Sequence, residues 1–408
     1  MSVVSGSVAP GYEPVREAFL ANFETRSEIG AALSVYRHGQ EVVRLWGGLA
    51  DPTTGRAWRE DTLQVIFSTT KSVPAACAHL LAQRGQLDLD APVAEYWPEF
   101  AAAGKGHIPV RWLLSHQAGL PVLDRPIPLE QALAWEPMVA ALAAQTPVWE
   151  PGTAHGYHGL TYGWLVGEVV RRVSGRSLGT YFADEIAKPL GLDFWIGLPA
   201  TEAHRVARLV EQPVTPPTAA AEAEPEAVRA ATQEAVPEAV PEAMPEAMRE
   251  ILAAYTDPTS LVLRSMAVTD PPLDLTDPRT WSAEIPAVNG ICTASSLARF
   301  YAGLIGEVDG VRILDATTLA TATREQASGV DRVLMVPTRP GLGFGLPLPE
   351  QPWWSPTAFG FPGHGGSLGY ADPAEGIAFG YVMNGLRVTM GPDPRTTGLI
   401  SAIRSVGS

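Results

Sequence analysis

Phe67-Ser68-Thr69-Thr70-Lys71 runs directly into Ser72-Val73-Pro74-Ala75-Ala76-Cys77-Ala78-His79-Leu80-Leu81. The spacing predicts a helix over 68–84, with Gly85 as its left-handed stop. On that helix Ser68 and Lys71 are three positions apart and share a face. A serine hydroxyl is a weak nucleophile until a base takes its proton. A lysine can be that base only as the neutral amine, which burial or a nearby cation favours. A serine at a helix start also presents its own N–H to a developing oxyanion. Taken alone, Ser-x-x-Lys fits an N-capping serine and a solvated lysine equally well. Against that, lysine occurs only at positions 71, 105 and 188, and Lys71 leads into an apolar run that is expected to be buried. Pro74 is the awkward residue, since its ring is expected to clash with the Thr70 carbonyl and kink the second turn.

Two further constellations lie downstream. Gly156-Tyr157-His158-Gly159 precedes a predicted helix over 160–173. A tyrosine at a helix N-terminus, with cations nearby, is expected to have a lowered pKa and to relay the Ser68 proton. Locally, a core tyrosine with a satisfied hydroxyl fits better. The other is Pro362-Gly363-His364-Gly365-Gly366-Ser367-Leu368-Gly369. Its glycines let backbone approach a ligand closely, Ser367 would offer a second oxyanion N–H, and His364 would donate to the tyrosine or to substrate. An ordinary glycine-rich turn is the competing reading. Trp353, Trp354, Phe359 and Phe361 stand just ahead and would line an apolar acyl pocket, although each one fits an ordinary core or surface aromatic as well. Gly365-Gly366-Ser367-Leu368-Gly369 also matches a nucleophile elbow. That fold needs an acid and then a histidine after the serine, whereas His364 is the last of eight histidines.

The composition excludes several classes. Hydrophobic residues make up 46% and charged residues 18% of 408, enough for a large core. A net charge of −15 without a basic patch argues against nucleic acid. No apolar run is long enough to span a membrane, and the first ten residues lack a leader's pattern, so a cytoplasmic enzyme is expected. Cys77 and Cys292 read as buried thiols. His155 and His158 are three apart with no third ligand, so no metal is expected, and no nucleotide-binding loop points to a cofactor.

The remaining pattern predicts helices over 13–23, 110–115, 129–145, 178–187, 295–304 and 395–406, and strands over 30–36, 41–46, 357–361 and 377–382. Strands at both ends with helices between them give an α+β architecture. The expected division is a sheet domain of residues 1–84 and 290–408 and a helical domain of 85–289. Residues 212–250 do not fit either. They repeat Pro-Glu-Ala-Val or Pro-Glu-Ala-Met at 225, 237, 241 and 245, and are expected to form a disordered or extended surface insertion.

In order, the three constellations resemble the serine β-lactamase/D-alanyl-D-alanine-peptidase superfamily, nearest to class C β-lactamases and family VIII carboxylesterases. Gly85-Gln86-Leu87-Asp88-Leu89-Asp90-Ala91-Pro92-Val93 and Leu113-Leu114-Ser115-His116-Gln117-Ala118-Gly119-Leu120-Pro121 look like segments of that group. So do Trp149-Glu150-Pro151-Gly152-Thr153 and Asn289-Gly290. The likeness covers nearly the whole chain except 212–250. It implies a β-lactamase/transpeptidase-like fold with an antiparallel sheet flanked by helices. It implies Ser68 as the acylated nucleophile, Lys71 and Tyr157 as proton relay, and the N–H groups of Ser68 and Ser367 as oxyanion hole. His364, Gly365 and Gly366 fall where β-lactamases carry Lys-Thr-Gly, and Tyr157-His158-Gly159 where they carry Tyr-x-Asn. Those departures remove a fixed cation and an amide, which weakens the case for a β-lactam and favours a small ester as substrate. Asn384 and Arg387 would meet a substrate carboxylate, with surface placement as the alternative. A β-lactamase, a D-amino-acid peptidase or an acyltransferase remains the alternative within enzymes, and a catalytically silent scaffold the alternative outside them. The oligomeric state is not readable.

Overall fold

The computed structural model describes residues 4–212, 246–349, 355–387 and 392–406. Both ends of the chain build one antiparallel sheet. Strands β1 (Val4–Val8), β2 (Gly30–Arg37) and β3 (Gln40–Asp51) come from the N-terminal part, and β4 (Phe359–Pro362), β5 (Leu368–Asp372) and β6 (Ile377–Met383) from the C-terminal part. Their order is β1-β3-β2-β6-β5-β4, with the short strand Arg56–Ala57 beside β3. The two ends meet where β2 pairs β6, from Arg37 opposite Ile377 to Ala31 opposite Met383.

Five helices frame the sheet and the site: α1 (Glu13–Thr25), α2 (Ser72–Gln83), α3 (Thr161–Ser174), α4 (Ala294–Ile305) and α5 (Pro394–Ser405). The period of two along β6 explains their placement. Ile377, Phe379, Tyr381 and Met383 cluster with Val15 and Phe19 of α1 and Leu399, Ile400 and Ile403 of α5. Ala378 and Val382 belong to the other, larger core, which holds α2, α3 and α4. Between them, a Cβ on Gly380 would stand 2.6 Å from the Ala294 carbonyl oxygen and the Ala298 nitrogen, so α4 lies backbone-on-backbone against the sheet.

Several expectations change in detail. The helix predicted over 68–84 is a 3₁₀ turn, Phe67–Lys71, followed by α2. Pro74 is then the third residue of α2, where a backbone N–H has no intrahelical acceptor to lose, and the change from 3₁₀ to α geometry falls before it. The helix predicted over 129–145 is two, Leu129–Leu133 and Glu136–Ala144, broken at Trp135 with φ +69°. The Trp135 indole N–H reaches the buried Glu168 at 2.8 Å, a tertiary contact that local propensity does not encode. Of the Pro-Glu-Ala segment, 213–245 lie outside the described residues. Its last residues, 246–250, open a helix, Glu246–Thr256. Helix formers without proline follow Pro245, so the low-complexity reading stops there. Cys77 and Cys292 are free and buried. Among the described residues no helix is long and apolar enough to cross a membrane.

Candidate active site

The 3₁₀ turn carrying Ser68 follows the strand Gln64–Val65. Phe67 adopts φ +46°, a left-handed conformation that costs a side-chain-bearing residue energy. The turn is held from two sides. The Ile66 N–H donates to the Gly290 carbonyl, and the Gly290 N–H donates to Thr70 Oγ1, both at 2.9 Å. The Ser367 hydroxyl donates to the Ile66 carbonyl at 2.9 Å and lies 3.2 Å from Thr69 Oγ1. The glycine-rich turn is thereby fastened alongside Ser68.

Lys71 is fully buried. Its Nζ lies 3.2 Å from Ser68 Oγ and donates to the carbonyls of Gly159 at 2.7 Å and Ala287 at 3.1 Å. The Tyr157 ring centroid is 4.6 Å away. Among the described residues no carboxylate pairs with Lys71, and burial pushes its pKa well below the ordinary lysine range.

Tyr157 Oη donates to Ser68 Oγ at 2.6 Å. Its ring stacks on Phe361 at 6.2 Å and meets His116 at 5.4 Å. The expectation of a lowered phenol pKa is corrected. Burial raises it above 10, the contact with Ser68 offsets this in part, and the nearby Asp331 raises it further. His158 is structural. Its Nε2 accepts the Leu120 N–H at 2.9 Å, so Nδ1 carries the proton and donates to the Gly156 carbonyl at 2.7 Å. Burial lowers its pKa to about 4, which keeps the ring neutral.

Gly159 serves through its carbonyl, and space beside its Cα is taken. A Cβ there would stand 3.1 Å from both Met266 Sδ and the Ser265 carbonyl oxygen, at the end of the helix Leu261–Met266. In the glycine-rich turn, Gly365 and Gly366 have φ +84° and +123°. A Cβ on Gly366 would strike the guanidinium of the fully buried Arg395, which donates to the Gly365 carbonyl and pairs with Glu28 and Asp393.

The remaining expected residues divide. Phe361 stacks on Tyr157 and packs against the small cluster that Tyr157 forms with Trp149 and Val333. His364 is exposed, with its ring edge-on to Phe67 at 5.3 Å. Packing lowers its pKa against a small opposing pull from Glu211, so it is no fixed cation. Phe359 belongs to the core, between Tyr301 and Phe344. Asn384 is fully buried, and its amide donates to the Leu49 and Ala50 carbonyls. Arg387 turns to Gln212 and the Arg26 carbonyl. Trp353 and Trp354 lie outside the described residues. Sequence reasoning missed Asp331, the two carbonyls that hold Lys71, and the Arg395 cluster. None carries a spacing signal, since each is defined by long-range burial.

An antiparallel sheet with a helical layer on each face, and a serine between a buried lysine and a tyrosine, define the serine acyl-transfer class. The family described as Beta-lactamase matches residues 17–401. The chain belongs to that family, and with it to the serine hydrolases. It is 36% identical over 389 residues to the esterase/beta-lactamase LipL of Mycobacterium tuberculosis, covering 94% of this chain and 83% of that protein. A family VIII carboxylesterase structure superimposes with a TM-score of 0.83 at 37% identity, over 99% of this chain and 100% of the other. A penicillin-binding-protein homologue from Caulobacter crescentus gives 0.81 at 36%, over 99% and 100%.

Proposed function

We propose that this protein hydrolyses carboxylic esters through an acyl-enzyme on Ser68. The observation that carries the reading is the position of Ser68 Oγ, 3.2 Å from a buried Lys71 Nζ and 2.6 Å from Tyr157 Oη. A neutral lysine has two N–H bonds, and the carbonyls of Gly159 and Ala287 take both. Its lone pair is left for the Ser68 proton, and the raised pKa of Tyr157 makes the phenol a donor rather than the first base.

As Ser68 Oγ attacks the ester carbonyl, its proton passes to Lys71 Nζ, and the ammonium is held by the same carbonyls. The N–H groups of Ser68 and Ser367 hold the tetrahedral oxyanion, a role supported by the contacts that fasten Ser367 to Ile66 and Thr69. The C–O bond then breaks, Tyr157 gives its proton to the leaving alkoxide, and Lys71 replenishes it. Water repeats the sequence on the acyl-enzyme. Phe361 would bound the acyl group, and His364, Gly365 and Gly366 would contact the substrate. The site would lie between the lobes 1–84 with 290–408 and 85–289. Free thiols at Cys77 and Cys292 support a cytoplasmic setting. Support for a β-lactam as the main substrate is weaker, because His364 is neutral and Arg387 is engaged elsewhere.

The test is hydrolysis of p-nitrophenyl butyrate and a chromogenic cephalosporin by wild type and Ser68→Ala. Ester turnover that exceeds cephalosporin turnover and vanishes in Ser68→Ala is expected. Faster cephalosporin turnover would move the protein to the β-lactamase side.

A further inference from the structure

Asp331 lies in a loop with no recognisable motif, yet its carboxylate is 3% exposed. A single oxygen, Oδ1, accepts three backbone N–H groups: Val333 and Leu334 at 2.8 Å and Tyr157 at 2.9 Å. The first two fold the loop onto its own carboxylate. The third crosses 174 positions to the residue whose hydroxyl touches Ser68. Beside it, the Arg332 N–H donates to the His155 carbonyl at 3.0 Å, and His155 Nε2 lies 2.9 Å from Thr338 Oγ1. Among the described residues Asp331 forms no ion pair. Burying a carboxylate without a cation is costly unless its hydrogen bonds are strong, and bonds to an ionised acceptor are roughly twice as strong as neutral ones.

We propose that Asp331 is a positioning residue for acyl transfer, anchoring the Tyr157 backbone so that the phenol stays within hydrogen-bond reach of Ser68. This rests on Ser68, Lys71 and Tyr157 being the catalytic set. Charge also matters. The groups facing Tyr157 are Ser68, Lys71, His116, Tyr162 and Asp331, with His158 next in the chain. Burial lowers the pKa values of Lys71, His116 and His158 and raises that of Tyr162. Asp331 is the carboxylate among these groups, and its pull on Tyr157 opposes ionisation of the phenol.

The experiment measures kcat and KM for p-nitrophenyl butyrate in Asp331→Asn and Asp331→Ala, per active site titrated with a fluorophosphonate, with Ser68→Ala in parallel. A misplaced reacting group can cost about 100-fold in rate, so Asp331→Ala is expected to lose about that in kcat with KM little changed. Asp331→Asn keeps an acceptor oxygen and loses the charge. It is expected to fall between wild type and Asp331→Ala, with the alkaline limb of kcat moved to lower pH. A role in stability alone would lower the titrated fraction and leave both readouts unchanged. An Asn variant with wild-type kcat and an unmoved alkaline limb overturns the proposal, even where the Ala variant does not fold. If Ser68→Ala stays active, the catalytic set is wrong and this inference falls with it. If Ser68→Ala is inactive and the Asp331 variants match wild type, the inference alone fails.

Discussion

Lys71 Nζ rests 2.7 Å from the carbonyl oxygen of Gly159, a residue 88 positions further along the chain. That contact, with the Ala287 carbonyl as second acceptor, holds a buried amine beside Ser68, and among the described residues no carboxylate pairs with it. Burial disfavours the ammonium, so the lysine pKa is lowered and the active neutral amine forms as pH rises through it. The acid limb of kcat/KM should therefore report Lys71, well below 10.5. Lys71→Met should lose activity by roughly 1,000-fold or more, as expected when a general base is removed. A full pH–rate profile on both proteins checks this, and a Met variant that keeps the acid limb would contradict it.

Tyr157→Phe keeps the ring against Phe361 and removes only the hydroxyl. Loss of general-acid help is worth about 100- to 10,000-fold, expected here in kcat with KM nearly unchanged. Steady-state kinetics decide, since a change confined to KM would make the phenol a binding group.

Gly159→Asn should harm ester hydrolysis. Its Cβ would press on Met266 Sδ, which can swing aside, and on the Ser265 carbonyl, which cannot. Overpacking of this kind costs about 1–3 kcal/mol and would shift the carbonyl that holds Lys71. Adding Met266→Ala should restore only part of the loss. Full recovery in the double variant would show that the side chain alone fills the space.

Arg395→Met should destabilise the fold by about 3–5 kcal/mol, because it leaves the buried Glu28 without its cation. Burial already raises the Glu28 pKa, and Arg395 opposes that rise. Without Arg395 the folded state would hold the Glu28 proton to still higher pH. Stability would then fall as pH rises from 4.5 through that folded value. Urea unfolding at pH 5 and pH 8 should show a smaller deficit at pH 5, and equal deficits would sink the argument.

The sheet was largely legible because its central strands are short apolar runs bounded by turn residues, and Gly85 marks a clear helix end. Ser68, Lys71 and Tyr157 were each ambiguous locally and became legible through the order of the three constellations and the resemblance they carry, and the structure brings all three side chains together. Asn384 stayed open because an amide looks the same in sequence whether it meets substrate or backbone, and here its N–H groups meet the Leu49 and Ala50 carbonyls. The direction of the Tyr157 pKa misled for a related reason. A helix terminus is visible in sequence, whereas burial, which dominates here, is a property of the assembled core. Asp331 and the Gly159 and Ala287 carbonyls act from loops or through backbone, where residue type says little.

The measurement that tests the central claim most directly is peptide mapping by mass spectrometry after a fluorophosphonate reacts with wild type, Ser68→Ala and Lys71→Met. The account predicts one adduct per chain, on Ser68, none in Ser68→Ala, and labelling of Lys71→Met slowed in step with its ester hydrolysis. An adduct on another residue, or wild-type labelling of Lys71→Met, would contradict it.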